Sequence, residues 1–547
     1  MLNAVINSVK RKKEEALDCQ IYDAQTCFDA LWLKEVINCL FQAGFKNDKL
    51  PLIFLENEFA HIAVKTSTRI SRRRTISQIL MQGTIWANIC CVVLMDKLGK
   101  MAYNNPSIMY HYKGVVPCPP LEMIDDVMAL QECNNKSRKT NAVVNCFMDL
   151  EKLTLSEKKC HKIHMGKPNQ SCPTLKVHGK EMSEVSHEKY LGDIIDNKST
   201  NKLNIEQRTG KGYGIVNQIL AIVKEVPLGW RRIKAGLILR QAMLLNCILF
   251  NSETWHDITE TDIESFEKVD QSLLKGLTIQ HPKGPIAALY LELGQLPIRF
   301  IWASRSILYL QTILKRNQTE VTRKMYNAQV QDPSKGDFCE LVKKHIETLD
   351  LKLTNSEIEN LSKTKLKKLI KTKVKNVAFK YLMNMKGNKE TGKMNNIKYT
   401  KLETQKYMTS PLFSQEEASL LLRLRTRCVG GIRSDFGAMY VEKNCPIDTH
   451  CNTLDTLSHV LTCGKLQVSI KDHTIATHKV SYIDVFSSNM KSQKQATTLF
   501  QLLLVERERI LSSLAALQTS PLHCGDTSAK LALHYHCVQF ISHILAS

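Results

Sequence analysis

The sequence predicts an α+β fold, with strands and helices mixed over roughly the first 200 residues and helices dominating beyond them. Three observations predict it. Leu121 to Leu130 sets two adjacent aspartates, Asp125 and Asp126, between mostly apolar quartets, which reads as strand, tight turn, strand. Phe28, Leu31, Trp32, Val36, Leu40 and Ala43 recur at helical spacing, and Gly44 closes that helix. Further on, Ile215 to Val223, Ile233 to Leu249 and Ile298 to Leu314 keep a helical period with little strand signal.

Taken in order, Leu17 to Asp23 reads as a short strand ending on a carboxylate. A basic stretch from Arg69 to Arg74 precedes Gln82-Gly83, and Thr84 to Leu98 is apolar almost all round, as in a buried helix. In the Asp125-Asp126 hairpin, aspartate suits the turn because it tolerates left-handed backbone angles. Two neighbouring carboxylates repel, and a divalent cation removes that cost while gaining hard oxygen ligands; a solvated turn on an ordinary hairpin is the other reading. A helix is expected from about Asn141 to Leu153, then an alternating strand over Lys158 to Met165. Leu175 to Lys180, leading to Lys189-Tyr190-Leu191-Gly192, reads as a further hairpin.

Charge narrows the partners. The 547 residues hold 75 Lys and Arg against 53 Asp and Glu, a formal charge of +22, which suits a polyanion, nucleic acid before membrane. The longest apolar run, Ala242 to Phe250, is interrupted by Asn246 and is far short of a membrane span. No secretory signal is visible, and 18 cysteines scattered through such a chain favour reduced thiols and an intracellular setting, nuclear or cytoplasmic. Lysines crowd the segment from Lys363 to Lys380, a solvated face by default and a phosphate-tracking one beside a nucleic-acid enzyme. Lys386 to Lys401 reads as a linker. Arg423, Arg425 and Arg427 alternate along Leu421 to Cys428 as further phosphate contacts. Cys445, Cys451, His459 and Cys463 form C-x5-C-x7-H-x3-C, the donor set of a closed, structural zinc site; unligated side chains in a cysteine-rich chain are the alternative. Lys494 to Leu517 is an amphipathic helix.

The blocks of the first 200 residues, in this order, resemble the palm of a reverse transcriptase of the non-LTR (LINE-type) retrotransposon kind. Asp23-Ala24-Gln25-Thr26-Cys27-Phe28-Asp29 is similar to motif A, and Gln82-Gly83 opens a motif B. Ile124-Asp125-Asp126 is similar to motif C, Lys159 to the motif D lysine, and Lys189 to Gly192 to the strand near the primer grip. The resemblance implies a right-hand polymerase palm, an antiparallel sheet plus helices, over residues 1–200, and a helical thumb over 201–335. It implies a basic helical segment and linker over 336–410, the arginine strip and zinc-knuckle-like motif over 411–470, and a helical tail over 471–547.

The same resemblance implies RNA-directed DNA polymerase activity on an RNA template, a DNA primer and deoxynucleoside triphosphates. Asp23, Asp125 and Asp126 would hold two Mg²⁺ ions, as an in-line phosphoryl transfer requires. Lys159 would protonate the pyrophosphate leaving group, unless it is simply a solvated lysine. Ala24, Phe28, Gln82 and Gly83 would face the nucleotide, Phe28 by rejecting a 2′-hydroxyl or else by filling the core. Trp86-Ala87-Asn88 departs from the Ser-Pro that the family commonly carries after Gln-Gly. Only 22 residues precede Asp23, so an N-terminally truncated reading frame lacking most of the fingers is expected, with impaired catalysis. A catalytically inactive, nucleic-acid-binding relic of such an element is the second reading.

Overall fold

A computed structural model describes residues 2–11, 16–25, 27–45, 49–58, 61–63, 65–75, 85–166, 173–255, 258–280, 284–387, 399–426, 447, 457–463, 485 and 489–518. The chain forms two compact units. One comprises Met1–Ile205, Thr254–Ile258 and Leu310–Lys344; the other comprises Glu206–Glu253, Thr259–Tyr309 and His345–Ser547. The expected mixed α+β character holds, with a mainly antiparallel sheet confined to the first unit. No helix among the described residues is long and apolar enough to cross a membrane.

The first unit is built around β1 (Leu17–Asp23), the middle strand of five. The hairpin β2 (Tyr110–Tyr112) and β3 (Val116–Cys118) precedes β4 (Leu121–Met123) and β5 (Asp126–Glu132). β6 (His161–Met165), β7 (Ser183–Glu184), β8 (His187–Tyr190) and β9 (Asp193–Asp196) follow later, with a short separate hairpin of Lys176–Val177 and Lys180–Glu181 between β6 and β7. The main sheet runs β7-β6-β1-β5-β4, with β7 parallel to β6 and every other pair antiparallel. β1 meets β5 in the register Leu17↔Glu132 through Asp23↔Asp126, and meets β6 with Asp18 opposite His164.

β1 is buried on both faces although its sequence alternates, so its polar residues are buried along one of them. Leu17, Cys19 and Ile21 join one core with Tyr110, Tyr112, Met128 and Leu130, with Val5, Ile6 and Val9 of α1 (Leu2–Arg11), and with Met325 and Ala328 of the helix Val321–Gln331. Tyr22 belongs to a second core, under α3 (Ile85–Asn104) and α4 (Asn135–Leu150), that also takes in α2 (Leu33–Gln42). Asp18 and Gln20 share that face and are fully buried, so each needs partners. Ser137 Oγ of α4 donates to Asp18 Oδ2 at 2.7 Å, and Gln20 Nε2 donates to Ser137 Oγ at 2.8 Å. Tyr22 Oη donates to Gln20 Oε1 at 2.6 Å and accepts from Asn141 Nδ2 at 3.0 Å. These bonds form one polar seam between strand and helix.

Several elements differ from the expectation. The helix anticipated from Phe28 is two pieces, Cys27–Ala30 and α2, separated at Leu31 and Trp32. α4 starts six residues before Asn141, because Asn134 caps it by accepting from the Lys136 backbone N–H at 2.7 Å. Its polar first turns, Asn135 to Lys139, hide the apolar period. In the hairpin, Asp125 occupies the turn but Asp126 already opens β5, and the left-handed residue is Ile124 at φ 61°, not an aspartate. The first central position of such a turn ordinarily holds glycine, so a β-branched side chain there is strained.

The second unit is helical, with Lys202–Lys224, Trp230–Leu239, Glu260–Thr278, α5 (Ile286–Leu293) and Ile298–Leu314 among its helices; the first and last of these begin or end in the first unit. The period read from Ile233 to Leu249 is broken by a π-helical turn over Arg240–Leu244. There the buried Arg240 guanidinium grips Asp270, with Nη2 to Oδ2 at 2.8 Å, and Tyr290 Oη donates to the same oxygen at 2.7 Å. α5 ends at Gly294, φ 65°, where a Cβ would lie 2.3 Å from the Thr404 backbone nitrogen; only glycine admits that approach.

Tyr22→Phe tests the polar seam. It leaves Gln20 Oε1 and Asn141 Nδ2 buried without their shared hydroxyl, and should cost about 1–3 kcal/mol. The urea midpoint of the full chain should fall at unchanged slope; an unaltered midpoint would show the seam to be dispensable.

Candidate active site

Asp23 and Asp126 arrive opposite each other because the β1–β5 register places them there, on the same face of adjacent strands. Asp125 sits beside them in the turn, so three carboxylates gather at the rim of the sheet. Their mutual repulsion is visible on Asp126: burial, then the charges of Asp125 and Asp23, hold its carboxyl above the usual range, with Lys159 opposing. Lys159 is the cation of the cluster. A turn closed by the Lys159 and Cys160 N–H groups on the Ser156 carbonyl presents it, and its Nζ donates to Asp23 Oδ2 at 3.0 Å and Oδ1 at 3.3 Å. That bond and the Asp23 charge raise the lysine above its ordinary value and keep it an ammonium.

The backbone around Asp23 is fixed from the other side. Ser156 N–H donates to the Asp23 carbonyl at 2.8 Å, Gln25 N–H to the Thr154 carbonyl at 2.7 Å, and Ala24 bridges Leu155. Ala24 itself is buried. Phe28 is partly buried and packs against the core that holds Tyr22. Lys189 is exposed on β8, while Tyr190 is buried and donates from Oη to the Leu121 carbonyl at 3.0 Å. The β8–β9 hairpin is thereby tied to the aspartate hairpin. Leu191 and Gly192, both at positive φ, form its turn. Gln82 and Gly83 lie outside the described residues.

Glu122 belongs to this hairpin and was not anticipated. It is partly buried on β4 against α3, and burial together with the Asp96 charge pushes its carboxyl up to about 8, eased by the Gly99 backbone N–H. One glutamate in an alternating strand carries no signal in sequence; only the packing of α3 onto β4 reveals it.

Oxygen donors alone make a set that suits hard divalent cations, and clustered like charges gain most from one. The three aspartates fit Mg²⁺ on that chemistry. As a trio they do not close to 4.8 Å, and Lys159 engages the Asp23 oxygens, so ion and ammonium compete for the same ligand.

The expected sites of the second unit are divided. On α6 (Lys363–Gly387), Leu366, Ile370, Val374, Ala378 and Leu382 are buried at every fourth position, whereas Lys363, Lys365, Lys367, Lys368, Lys371, Lys375 and Lys380 are exposed. Lys373 is engaged by Asp350 at 3.2 Å. The arginine strip corrects an expectation. Arg423 and Arg425 lie on a helix, α7 (Gln415–Arg425), and both are buried. Arg425 Nε donates to Glu292 Oε1 at 2.8 Å; Arg423 is lowered to about 10 by burial alone. Neither is placed to touch a phosphate, and Arg427 lies outside the described residues. Of the zinc motif, Cys445 and Cys451 also lie outside them, whereas His459 and Cys463 are buried on one helical turn, the Cys463 N–H donating to the His459 carbonyl at 2.8 Å.

In class, the first unit is an α+β domain with a carboxylate cluster at the rim of its sheet. No protein-family model matches the chain, and no curated protein does. Among solved structures, telomerase from Candida tropicalis, in complex with a TWJ fragment of telomeric RNA, is similar at 13% identity and a TM-score of 0.32. The likeness covers 68% of this chain and 51% of that one, so the chain spans about half the telomerase length. A likeness so loose fixes neither fold nor activity.

Glu122 gives the hairpin a pH signature. An acid whose folded value is raised contributes stability present in full below its ordinary value near 4.5 and lost as pH rises through about 8. Glu122→Gln should therefore change the thermal midpoint little at pH 5 and raise it at pH 9. An equal shift at both would remove the buried, protonated carboxyl from the account.

Proposed function

We propose that the chain is the RNA-directed DNA polymerase portion of a non-LTR (LINE-type) retrotransposon protein. The observation that carries this is the register pairing of Asp23 with Asp126, with Asp125 in the intervening turn and Lys159 against Asp23. Carboxylates from two elements meet there, as nucleotidyl transfer by a two-metal mechanism needs. A strained backbone at Ile124 beside them supports the same reading, since such residues gather at functional sites.

Asp23, Asp125 and Asp126 would hold Mg²⁺, which when bound supplies charge neutralisation at the reacting phosphate. Lys159, kept protonated beside Asp23, would give a proton to the leaving group. Phe28, within motif A and packed against the core, would limit the bulk of the incoming sugar. Lys189 and the β8–β9 hairpin, tied by Tyr190, serve the primer end. The exposed lysines of α6 take phosphates of the RNA–DNA duplex. A structural Zn²⁺ on Cys445, Cys451, His459 and Cys463 completes the reading, with deoxynucleoside triphosphates as substrate.

Primer extension on an RNA template with Mg²⁺ tests it. Asp125→Ala should cut extension by about 10²–10³-fold or more, the scale of losing a main charge-stabilising group. Duplex binding should stay unchanged or tighten slightly as a repelling charge goes. Extension unaffected by Asp125→Ala would overturn the assignment; binding with no Asp125-dependent extension would return the chain to an inactive relic.

Binding should be insensitive to sequence and fall on the order of a thousandfold between 50 and 200 mM salt for six phosphate contacts. Lys365→Ala with Lys368→Ala should lower the salt slope by about 2. An unchanged slope would take α6 out of the interface.

A further inference from the structure

We infer that Asp18, Cys133 and His164 form a binding site for a transition-metal ion of the Zn²⁺ type at the end of β1 remote from Asp23. It is independent of the polymerase reading. Five residues of extended strand separate Asp18 from Asp23, about 17 Å, so this ion would not share the rim cluster.

The three donors come from three places that the sheet brings together. Asp18 is the second residue of β1, Cys133 follows the last residue of β5, and His164 faces Asp18 from β6. One ligand atom from each lies within 4.8 Å of the others, the one such group of three among the described residues. His164 Nδ1 stands 3.1 Å from Asp18 Oδ1. Tetrahedral zinc, with bonds of about 2.0–2.1 Å to nitrogen and oxygen and about 2.3 Å to sulfur, sets its ligand atoms about 3.3–3.5 Å apart. The imidazole and carboxylate are thus already at ligand spacing, and the Cys133 sulfur completes the group of three within 4.8 Å.

The chemistry selects the ion. One thiolate, one imidazole and one carboxylate are too soft a set for Mg²⁺ or Ca²⁺ and suit Zn²⁺. Asp18 and Cys133 are 0% and 5% exposed, which fits an ion that clips strands together and leaves no room for Cys133 to attack a substrate. The second Asp18 oxygen accepts from Ser137 Oγ at 2.7 Å, so the carboxylate is oriented from behind, as outer-shell partners of metal ligands are. Binding displaces a proton from the Cys133 thiol to solvent, and water takes the fourth position.

The test uses Zn²⁺ alone on the full chain carrying Cys445→Ser and Cys451→Ser, which removes half the donors of the C-terminal motif. One Zn²⁺ per chain should survive gel filtration, and Co²⁺ in its place should give a thiolate charge-transfer band. Adding Cys133→Ser should abolish both, and Ser137→Ala should weaken affinity about 10–100-fold. Folding of Cys133→Ser is checked by circular dichroism, but the parent variant alone decides the matter. If that chain is folded yet holds no Zn²⁺ and shows no cobalt–thiolate band, Asp18 and His164 are a buried ion pair and the site is overturned. Metal content unmoved by Cys133→Ser overturns it equally.

Discussion

A strand buried on both faces has nowhere to hide a polar side chain, and β1 carries four, Asp18, Gln20, Tyr22 and Asp23. Three of them are satisfied by the seam to Ser137 and Asn141 of α4; the fourth escapes at the rim. This fixes register. A slip of one residue would turn Asp18, Gln20 and Tyr22 into the apolar core of Tyr110 and Met128 and point Asp23 away from Asp126. Each unsatisfied group would cost about 1–3 kcal/mol, enough together to rule the slip out. The polar seam therefore specifies the alignment on which the carboxylate cluster depends, some five residues away along the strand.

At the rim the balance reverses, because the cluster is costly to the fold. Asp23, Asp125 and Asp126 repel one another, Glu122 is desolvated behind them, and Ile124 takes a backbone angle it disfavours. The surroundings over-determine the hairpin. Tyr190 bonds the Leu121 carbonyl, Ser156 bonds the Asp23 carbonyl, and Lys159 supplies one positive charge. Strain and repulsion persist there because these neighbours hold the hairpin in place.

Much of this was legible in sequence, and the reasons for the rest are physical. β1, the aspartate hairpin, the apolar helix α3 and the helix Ile298–Leu314 announced themselves by period and length. The cap at Asn134 did not, since a polar first turn masks the helical period. The left-handed angle fell on Ile124 instead of aspartate because the β1–β5 register already committed Asp126 to the strand. Asp18 read as one more residue of a short strand; its neighbours His164 and Cys133 lie more than a hundred positions away in sequence and are invisible to any local pattern.

Arginine in the second unit shows why net charge overstates a phosphate-binding surface. Arg425 and Glu292 are both buried, and Tyr399 and Tyr407 donate to the same carboxylate. Removing one partner of such a pair strands the other charge in the core, a loss of about 3–5 kcal/mol, so these side chains are committed to packing α5 against α7. Burial lowers the Arg425 guanidinium and Glu292 more than restores it, whereas Arg423 has burial alone. The alternation that made the strip look like a row of phosphate contacts is accidental: on a helix, residues two apart point in different directions, and the shared feature of the pair is depth. The lysines of α6 are the opposite case, since a buried residue at every fourth position forces the intervening ammonium groups outward. Of the positive charge in this unit, the exposed lysines of α6 are therefore available to a polyanion, while Arg423 and Arg425 hold the fold.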